Sequence, residues 1–188
     1  MEALLPAFIA AFLSEWGDKT QLLLIVLTTR YGRPGALLAG AAVAALASGL
    51  LAGFFGTLVH DTVTLRALSL LVGVALLFAA APGFLMRKSP AYADTLAGPA
   101  MFAAALGVFL AEFGDRTQFT TFALAARTDS TLLPAFGSAA GVIAASVPAV
   151  LIGPALTKRL PVRGIRIAGA LLFLLAGLIV ALKALRLL

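Results

Sequence analysis

Six apolar segments, each about as long as a membrane-spanning helix, make up most of this chain. They cover residues 4–29, 35–58, 65–86, 98–126, 132–156 and 165–185. A helix needs about 20 apolar residues to cross the hydrocarbon core of a bilayer. Only 12% of the 188 residues are charged, whereas soluble domains carry about 25%. The sequence therefore predicts an all-α integral membrane protein with six transmembrane helices.

The breaks between these segments contain turn-forming residues, and one break is longer than the others. Gly32, Pro34 and Pro161 mark two of the short breaks, as glycine and proline commonly do. The longest break covers residues 87–97 and contains Pro90. We expect it to divide one transmembrane domain into two halves of three helices, residues 1–90 and residues 91–188.

The two halves contain the same motif. EWGDKTQ begins at Glu15 and EFGDRTQ begins at Glu112, and the copies are identical at five of their seven positions. Ser48 and Ser146 follow their motifs at nearly the same distance, each in an alanine-rich segment. Internal similarity of this kind indicates a duplicated structural unit.

The distribution of Lys and Arg predicts the orientation of the halves. The first, third and fifth loops contain Arg30, Arg33, Arg87, Lys88, Lys158, Arg159, Arg163 and Arg166, and the opposite side contains Arg66, Arg127, Lys183 and Arg186. Because loops rich in Lys and Arg stay in the cytoplasm, we expect cytoplasmic odd-numbered loops and both termini outside. Three helices per half would then make the copies an inverted pair, an architecture common among secondary transporters.

The net charge of +6 does not indicate a nucleic-acid partner. The basic residues lie at segment ends, without the dense basic and aromatic patch that nucleic-acid binding requires. The chain also contains no cysteine, which excludes disulfides and thiolate metal sites. We expect the partners to be the lipid bilayer and the transported ions, and the sequence leaves homodimer formation open.

Each motif places ionisable residues deep inside an apolar segment. Glu15 lies about 16 Å along a helix that starts at Leu4, close to the middle of the bilayer. The six ionisable residues of the two motifs are Glu15, Asp18, Lys19, Glu112, Asp115 and Arg116. A charged residue facing lipid at this depth costs about 2.5–3.5 kcal/mol. We therefore expect these side chains to face the protein interior, one another or water.

The local geometry of the motif has two alternatives. On a continuous helix, Glu15 and Asp18 would lie about 60° apart, with Lys19 on the side of Glu15 and Thr20 pointing largely away. Gly17 could instead allow close helix contact or a local break in the helix, and Gly114 could do the same.

The oxygen-rich side chains of the two motifs predict one central divalent-cation site. We expect the metal-binding residues to be Glu15, Asp18, Gln21, Glu112, Asp115 and Gln118, with supporting positions at Lys19, Thr20, Arg116, Thr117, Ser48 and Ser146. All-oxygen ligand sets suit calcium, manganese and magnesium, and the lack of His and Cys argues against zinc, copper and nickel. For Ser48 and Ser146, helix packing is the favoured role.

The same acids predict proton-coupled transport. Burial and mutual repulsion favour the protonated form of carboxyl groups in general, so protons and metal would compete for the same oxygens. One such motif could be a structural ion pair, but its repetition in opposite orientation favours an ion pathway. The other candidates are an intramembrane aspartyl protease, which the neighbouring basic residues disfavour, and a passive cation channel.

The motifs EWGDKTQ and EFGDRTQ closely resemble the E-x-G-D-[KR]-[ST] signature of the Gdt-type membrane proteins, a family of the calcium:cation antiporter group. The resemblance covers essentially the whole chain. It implies export of manganese, or of calcium in some members, in exchange for protons, with no enzymatic activity and no resident cofactor. It places the motif acids on Glu15, Asp18, Glu112 and Asp115, and it implies a bacterial plasma-membrane location for a chain this compact.

Overall fold

The computed structural model describes residues 2–85, 88–156 and 161–188, and its regular structure there is helical. The main helices are α1 (Leu4–Glu15), α2 (Lys19–Tyr31), α3 (Pro34–His60), α4 (Leu65–Ala80), α5 (Ala100–Glu112), α6 (Arg116–Thr128), α7 (Leu132–Ile152) and α8 (Val162–Leu185), with 3-10 turns at Ala81–Phe84 and Ala91–Asp94. The prediction of an all-α chain is confirmed.

Four helical stretches in the described residues are long and apolar enough to cross a membrane. They are Pro34–His60, Leu65–Phe84, Leu132–Ile152 and Val162–Leu185, whereas Leu4–Glu15 and Ala100–Glu112 are shorter apolar helices. Large apolar side chains such as Phe54, Leu175 and Leu178 are exposed on the outside of the bundle. This surface is the kind that lipid tails cover, so the chain is an integral membrane protein.

The motif-bearing segments are broken, so of the two alternatives that the sequence left open, the structure has the helix break at each motif. In the first copy, Trp16 and Asp18 are extended and Gly17 has φ +67°. In the second, Phe113 and Asp115 are extended and Gly114 has φ +69°. Glycine adopts such positive φ values without the steric penalty that other residues pay. Each motif therefore ends one helix and begins another.

The other helix ends follow local chemistry. Pro34 is the first residue of α3 and Pro161 directly precedes α8, positions where a missing backbone N–H costs little. The third apolar segment leaves α-helical geometry at Ala81, where Pro82 follows. The predicted basic loop residues Arg87, Lys158 and Arg159 lie outside the described residues.

The two halves of the chain are interlocked. Helix α1 packs mainly against α7, α5 packs against α3, and α4 packs against α8. Gly137 lies against the Leu4 carbonyl in the first contact, and Gly40 lies against the Met101 carbonyl in the second. These four positions are equivalent when the two motifs are aligned. Small residues let helices approach closely in membranes, and here they bring the ends of α1 and α5 to the centre of the bundle.

Candidate functional site

Four acidic side chains lie where the broken helices meet. Glu15 and Glu112 are the last residues of α1 and α5, and Asp18 and Asp115 directly precede α2 and α6. All four are buried, with relative exposures of 1%, 1%, 0% and 9% in that order. The first turn of a helix carries partial positive charge, so the starts of α2 and α6 favour the two aspartates electrostatically.

Each glutamate is hydrogen-bonded by the other motif. Thr117 Oγ1 donates to Glu15 Oε1 at 2.8 Å, and Thr20 Oγ1 donates to Glu112 Oε1 at 2.9 Å. Thr20 therefore does not point away from the site, as it would on a continuous helix. The break at Gly17 ends the angular relation between Glu15 and the following helix, and a new helix beginning at Lys19 turns Thr20 inwards.

Each aspartate is paired with the basic residue of the other motif. Arg116 Nη2 lies 3.3 Å from Asp18 Oδ2, and Lys19 Nζ lies 3.3 Å from Asp115 Oδ1. Together with the two threonine bonds, these contacts form a reciprocal set in which every partner comes from the opposite half. The structure thus brings the two motifs together, as the sequence predicts.

The two glutamines hold the helix breaks. Gln21 Oε1 accepts the Gly17 N–H at 2.9 Å, and Gln118 Oε1 accepts the Gly114 N–H at 2.7 Å. Their amide nitrogens reach helices of the opposite half. Gln21 Nε2 donates to the Ala145 carbonyl at 2.9 Å and Gln118 Nε2 lies 3.2 Å from Ser48 Oγ. Both amide oxygens are thus already bonded to the backbone of their own motif.

The two predicted supporting serines have different surroundings. Ser48 is buried and contacts Gln118, so it lies beside the second motif. Ser146 is also buried, but its hydroxyl donates to the Val142 carbonyl of its own helix at 2.7 Å. Ser48 therefore touches the site, and Ser146 mainly satisfies its own helix.

Several buried oxygens in and next to the two motifs have no hydrogen-bond partner among the described residues. They include Glu15 Oε2, Asp115 Oδ2 and the hydroxyl of Ser14. Buried polar atoms without a partner are uncommon in native proteins, and acidic oxygens of this kind can accept a proton or a cation. Ser14 was not among the residues predicted from the sequence. The sequence distinguishes it only in that the equivalent position before the second motif is Ala111.

The four carboxylates do not surround a single point in this structure. Within residues 2–85, 88–156 and 161–188, no three acidic or histidine side chains lie close enough together to hold a metal ion. Lys19 and Arg116 instead pair with the aspartates. Binding a divalent ion to all four carboxylates therefore requires some of these pairs to rearrange.

A cavity of about 640 Å³ borders the second motif. Asp115, Gln118 and Gly114 lie along it, and its remaining lining is mostly aromatic, with Phe55, Phe78, Phe113, Phe119 and Phe122. Asp115 is therefore a carboxylate at the margin of a mostly apolar cavity, whose Phe55, Phe78 and Phe113 are exposed on the outer surface of the bundle.

Helix α8 covers the first motif. Arg166 Nη1 donates to the Gly17 carbonyl at 3.4 Å, and its Nε donates to the Gly83 carbonyl at 3.0 Å. A Cβ atom on Gly17 would lie 2.6 Å from Val162 Cγ1, whereas one on Gly114 would have no neighbour within 4 Å. Two nearly identical motifs thus differ in access, one covered and one open.

Comparison with known proteins agrees with these features. The sequence model of the family "Divalent cation/proton antiporter GDT1" matches this chain twice, over residues 3–90 and over residues 100–187. The chain thus consists of two repeated halves, as the motif duplication predicts.

The chain is also 33% identical over 182 residues to a Vibrio cholerae protein named "Putative manganese exporter", with 96% of this chain and 91% of that protein covered. No solved structure matches the chain. The family is one of transporters, which excludes the protease alternative. This chain belongs to the GDT1 family of divalent cation/proton antiporters.

Proposed function

We propose that this antiporter exports Mn²⁺ from the cytoplasm in exchange for protons through one central site. The proposed metal ligands are Glu15, Asp18, Glu112 and Asp115, with the amide oxygens of Gln21 and Gln118, and the proposed supporting residues are Lys19, Thr20, Arg116, Thr117, Ser48 and Ser146. The observation that carries the proposal is the crossed pairing of the two motifs, which gathers four buried carboxylates from both halves of the chain.

We also propose that the fold comprises six membrane spans in two inverted repeats, residues 1–90 and residues 91–188. In this interpretation α1 with α2 forms one broken span, and α5 with α6 forms another. Broken helices with binding sites at their ends are typical of transporters built from inverted repeats. The equivalent breaks at Gly17 and Gly114 support this arrangement.

Manganese is the proposed substrate because of site chemistry and similarity. Carboxylate and amide oxygens suit Mn²⁺, and the Vibrio cholerae relative is named for manganese export. Calcium is the alternative substrate, because it accepts the same oxygen ligands. Proton exchange needs no additional group, since carboxylates that release the metal can take up protons instead.

Transport by the reconstituted protein tests the site. We expect Mn²⁺ uptake into proteoliposomes to depend on an imposed pH gradient and to be abolished by Glu15→Gln and by Asp115→Asn. Glu2→Gln removes an acid at an exposed position before the start of α1, at the opposite end of that helix from the motif, and should leave transport intact. Full activity in both site variants would overturn the assignment. Competition by Ca²⁺ over a concentration series would rank the two ions.

The proposed orientation places both termini outside and the odd-numbered loops in the cytoplasm of a bacterium, with the protein in the plasma membrane. Since the chain contains no cysteine, single cysteines report on each side. We expect Asp61→Cys, in the second loop, to react with a membrane-impermeant maleimide in intact cells. Gly35→Cys, at an exposed position in the first turn of α3 next to the first loop, should react only after permeabilisation. The reverse labelling pattern would show that the protein has the opposite orientation in the membrane.

A further inference from the structure

The basic residues of the two motifs occupy equivalent positions but have different surroundings. Lys19 is the first residue of α2, and Arg116 is the first residue of α6. The Arg116 side chain is 3% exposed, whereas the Lys19 side chain is 26% exposed. This difference separates two groups that the repeat alone would treat as the same.

Arg116 is fixed in place by three partners. Its guanidinium pairs with Asp18, donates to the Ala79 carbonyl at 3.2 Å, and also donates to the Ser14 carbonyl. Ala79 and Ser14 lie near the ends of α4 and α1. A planar guanidinium can satisfy several acceptors at once in a rigid arrangement. Moving Arg116 would leave these buried carbonyls without a donor.

Lys19 is held more weakly. Its ion pair with Asp115 is 3.3 Å long, and no hydrogen bond from Lys19 to another described residue accompanies it. Asp115 is also the aspartate that borders the 640 Å³ cavity, while Asp18 is fully buried. A lysine ammonium is strongly hydrated and sits on a flexible four-carbon stem. The free-energy cost of separating Lys19 from Asp115 is therefore much lower than that of separating Arg116 from Asp18.

We propose that Lys19 is an internal cation that holds the Asp115 carboxylate until a divalent ion displaces it. Arg116 stays with Asp18 throughout. Lys19 would then determine the affinity of the site for metal. Arg116 would hold Asp18 and the ends of α1 and α4 in place. This inference rests on the proposed metal site and adds to it the residue that determines affinity.

The physical reason is competition between positive charges for the same oxygens. An ammonium group at 3.3 Å from Asp115 Oδ1 and a divalent ion bound to that carboxylate would repel each other strongly in a water-poor site. Displacement of Lys19 removes this repulsion, and its return after the metal leaves restores the ion pair. Lys19 thereby weakens metal binding and speeds metal release.

Tryptophan fluorescence offers a direct test, because the chain contains one tryptophan, and this residue, Trp16, lies within the first motif. We would titrate the purified full-length protein with MnCl₂ and follow quenching of Trp16. Lys19→Gln should bind Mn²⁺ about tenfold more tightly than wild type, since it removes the competing charge. Lys183→Gln removes the same charge from an exposed position at the end of α8 and should leave the affinity unchanged.

Two further variants separate competition from simple bracing of the helices. Lys19→Arg keeps the charge and should retain an affinity near that of wild type. Lys19→Met removes the charge but keeps an apolar stem, so it should also bind more tightly if Lys19→Gln fails to fold. In proteoliposomes, both neutral variants should lower KM for Mn²⁺ and lower kcat, because tighter binding slows release. A purely structural ion pair would not tighten binding when broken.

The possible failures are distinct. If wild type binds Mn²⁺ and the folded neutral variants bind it equally or more weakly, this inference is wrong while the metal site stands. If wild type and Lys183→Gln bind neither Mn²⁺ nor Ca²⁺, the proposed site itself is wrong and the inference falls with it.

Discussion

Thr117 Oγ1, in the second half of the chain, donates a hydrogen bond to Glu15 Oε1 in the first half at 2.8 Å. The equivalent bond runs the other way, from Thr20 to Glu112 at 2.9 Å. The glutamate of each motif therefore accepts a hydrogen bond from the threonine of the other motif. At the proposed site, binding of a proton or a metal ion to one acid would therefore disturb contacts of both motifs.

The threonine bonds should matter for both stability and transport. Thr117→Val keeps the shape of the side chain but leaves a buried glutamate oxygen without its donor, which costs about 1–3 kcal/mol. We expect a lower thermal-unfolding temperature in detergent and slower Mn²⁺ transport, with Thr20→Val behaving alike. Thr121→Val is the matched control, because Thr121 donates to the Thr117 carbonyl within its own helix. Equal effects at Thr117 and Thr121 would argue against a special role for the crossed bonds.

The two basic residues should differ in their contributions to stability. Arg116→Lys loses the guanidinium bonds to two buried carbonyls and should destabilise the protein by about 1–3 kcal/mol. Lys19→Arg changes a partly exposed ion pair and should cost less than about 1 kcal/mol. Thermal unfolding of both variants in the same detergent measures the difference. A larger loss for Lys19→Arg would contradict the description of Arg116 as the anchored residue.

The glycines of the two motifs should respond differently to the same substitution. Alanine at either position has to adopt a left-handed conformation, at a cost of about 1–2 kcal/mol. Gly17→Ala would also bring a methyl group against Val162 of α8, whereas the space beside Gly114 is open. We expect Gly17→Ala to lower the unfolding temperature more than Gly114→Ala. Equal losses would show that α8 does not pack on the first motif in this way.

Close backbone packing should be essential between the halves. Gly137→Ala and Gly40→Ala each place a methyl group against a carbonyl of the partner helix, and overpacking of this kind costs about 1–3 kcal/mol. Gly35→Ala is the control, because its Cβ would meet nothing within 4 Å. Size-exclusion chromatography after a heat challenge should show loss of folded protein for the first two variants alone. If both variants stay folded after the heat challenge, the close packing of α1 on α7 and of α5 on α3 is contradicted.

Much of the site could be predicted from the sequence, for reasons that need no tertiary structure. Glu15 and Glu112 lie in the middle of apolar segments, where a lipid-facing charge is costly, so they had to face the interior. Their nearly identical surroundings in sequence then indicated that both belong to one site. The orientation of Thr20 could not be predicted in the same way, because it depends on whether the helix continues through Gly17 or breaks there.

The sequence by itself determined the membrane class, the duplication and the identity of the acidic residues, because these follow from segment length, composition and repeated spacing. The tertiary structure decided which partner each charged group has. It anchors Arg116 to carbonyls of α1 and α4, leaves Lys19 with Asp115 beside a cavity, and covers Gly17 with α8. Near-identical motifs carry no sign of such differences, since these arise from contacts between segments that are far apart in the chain.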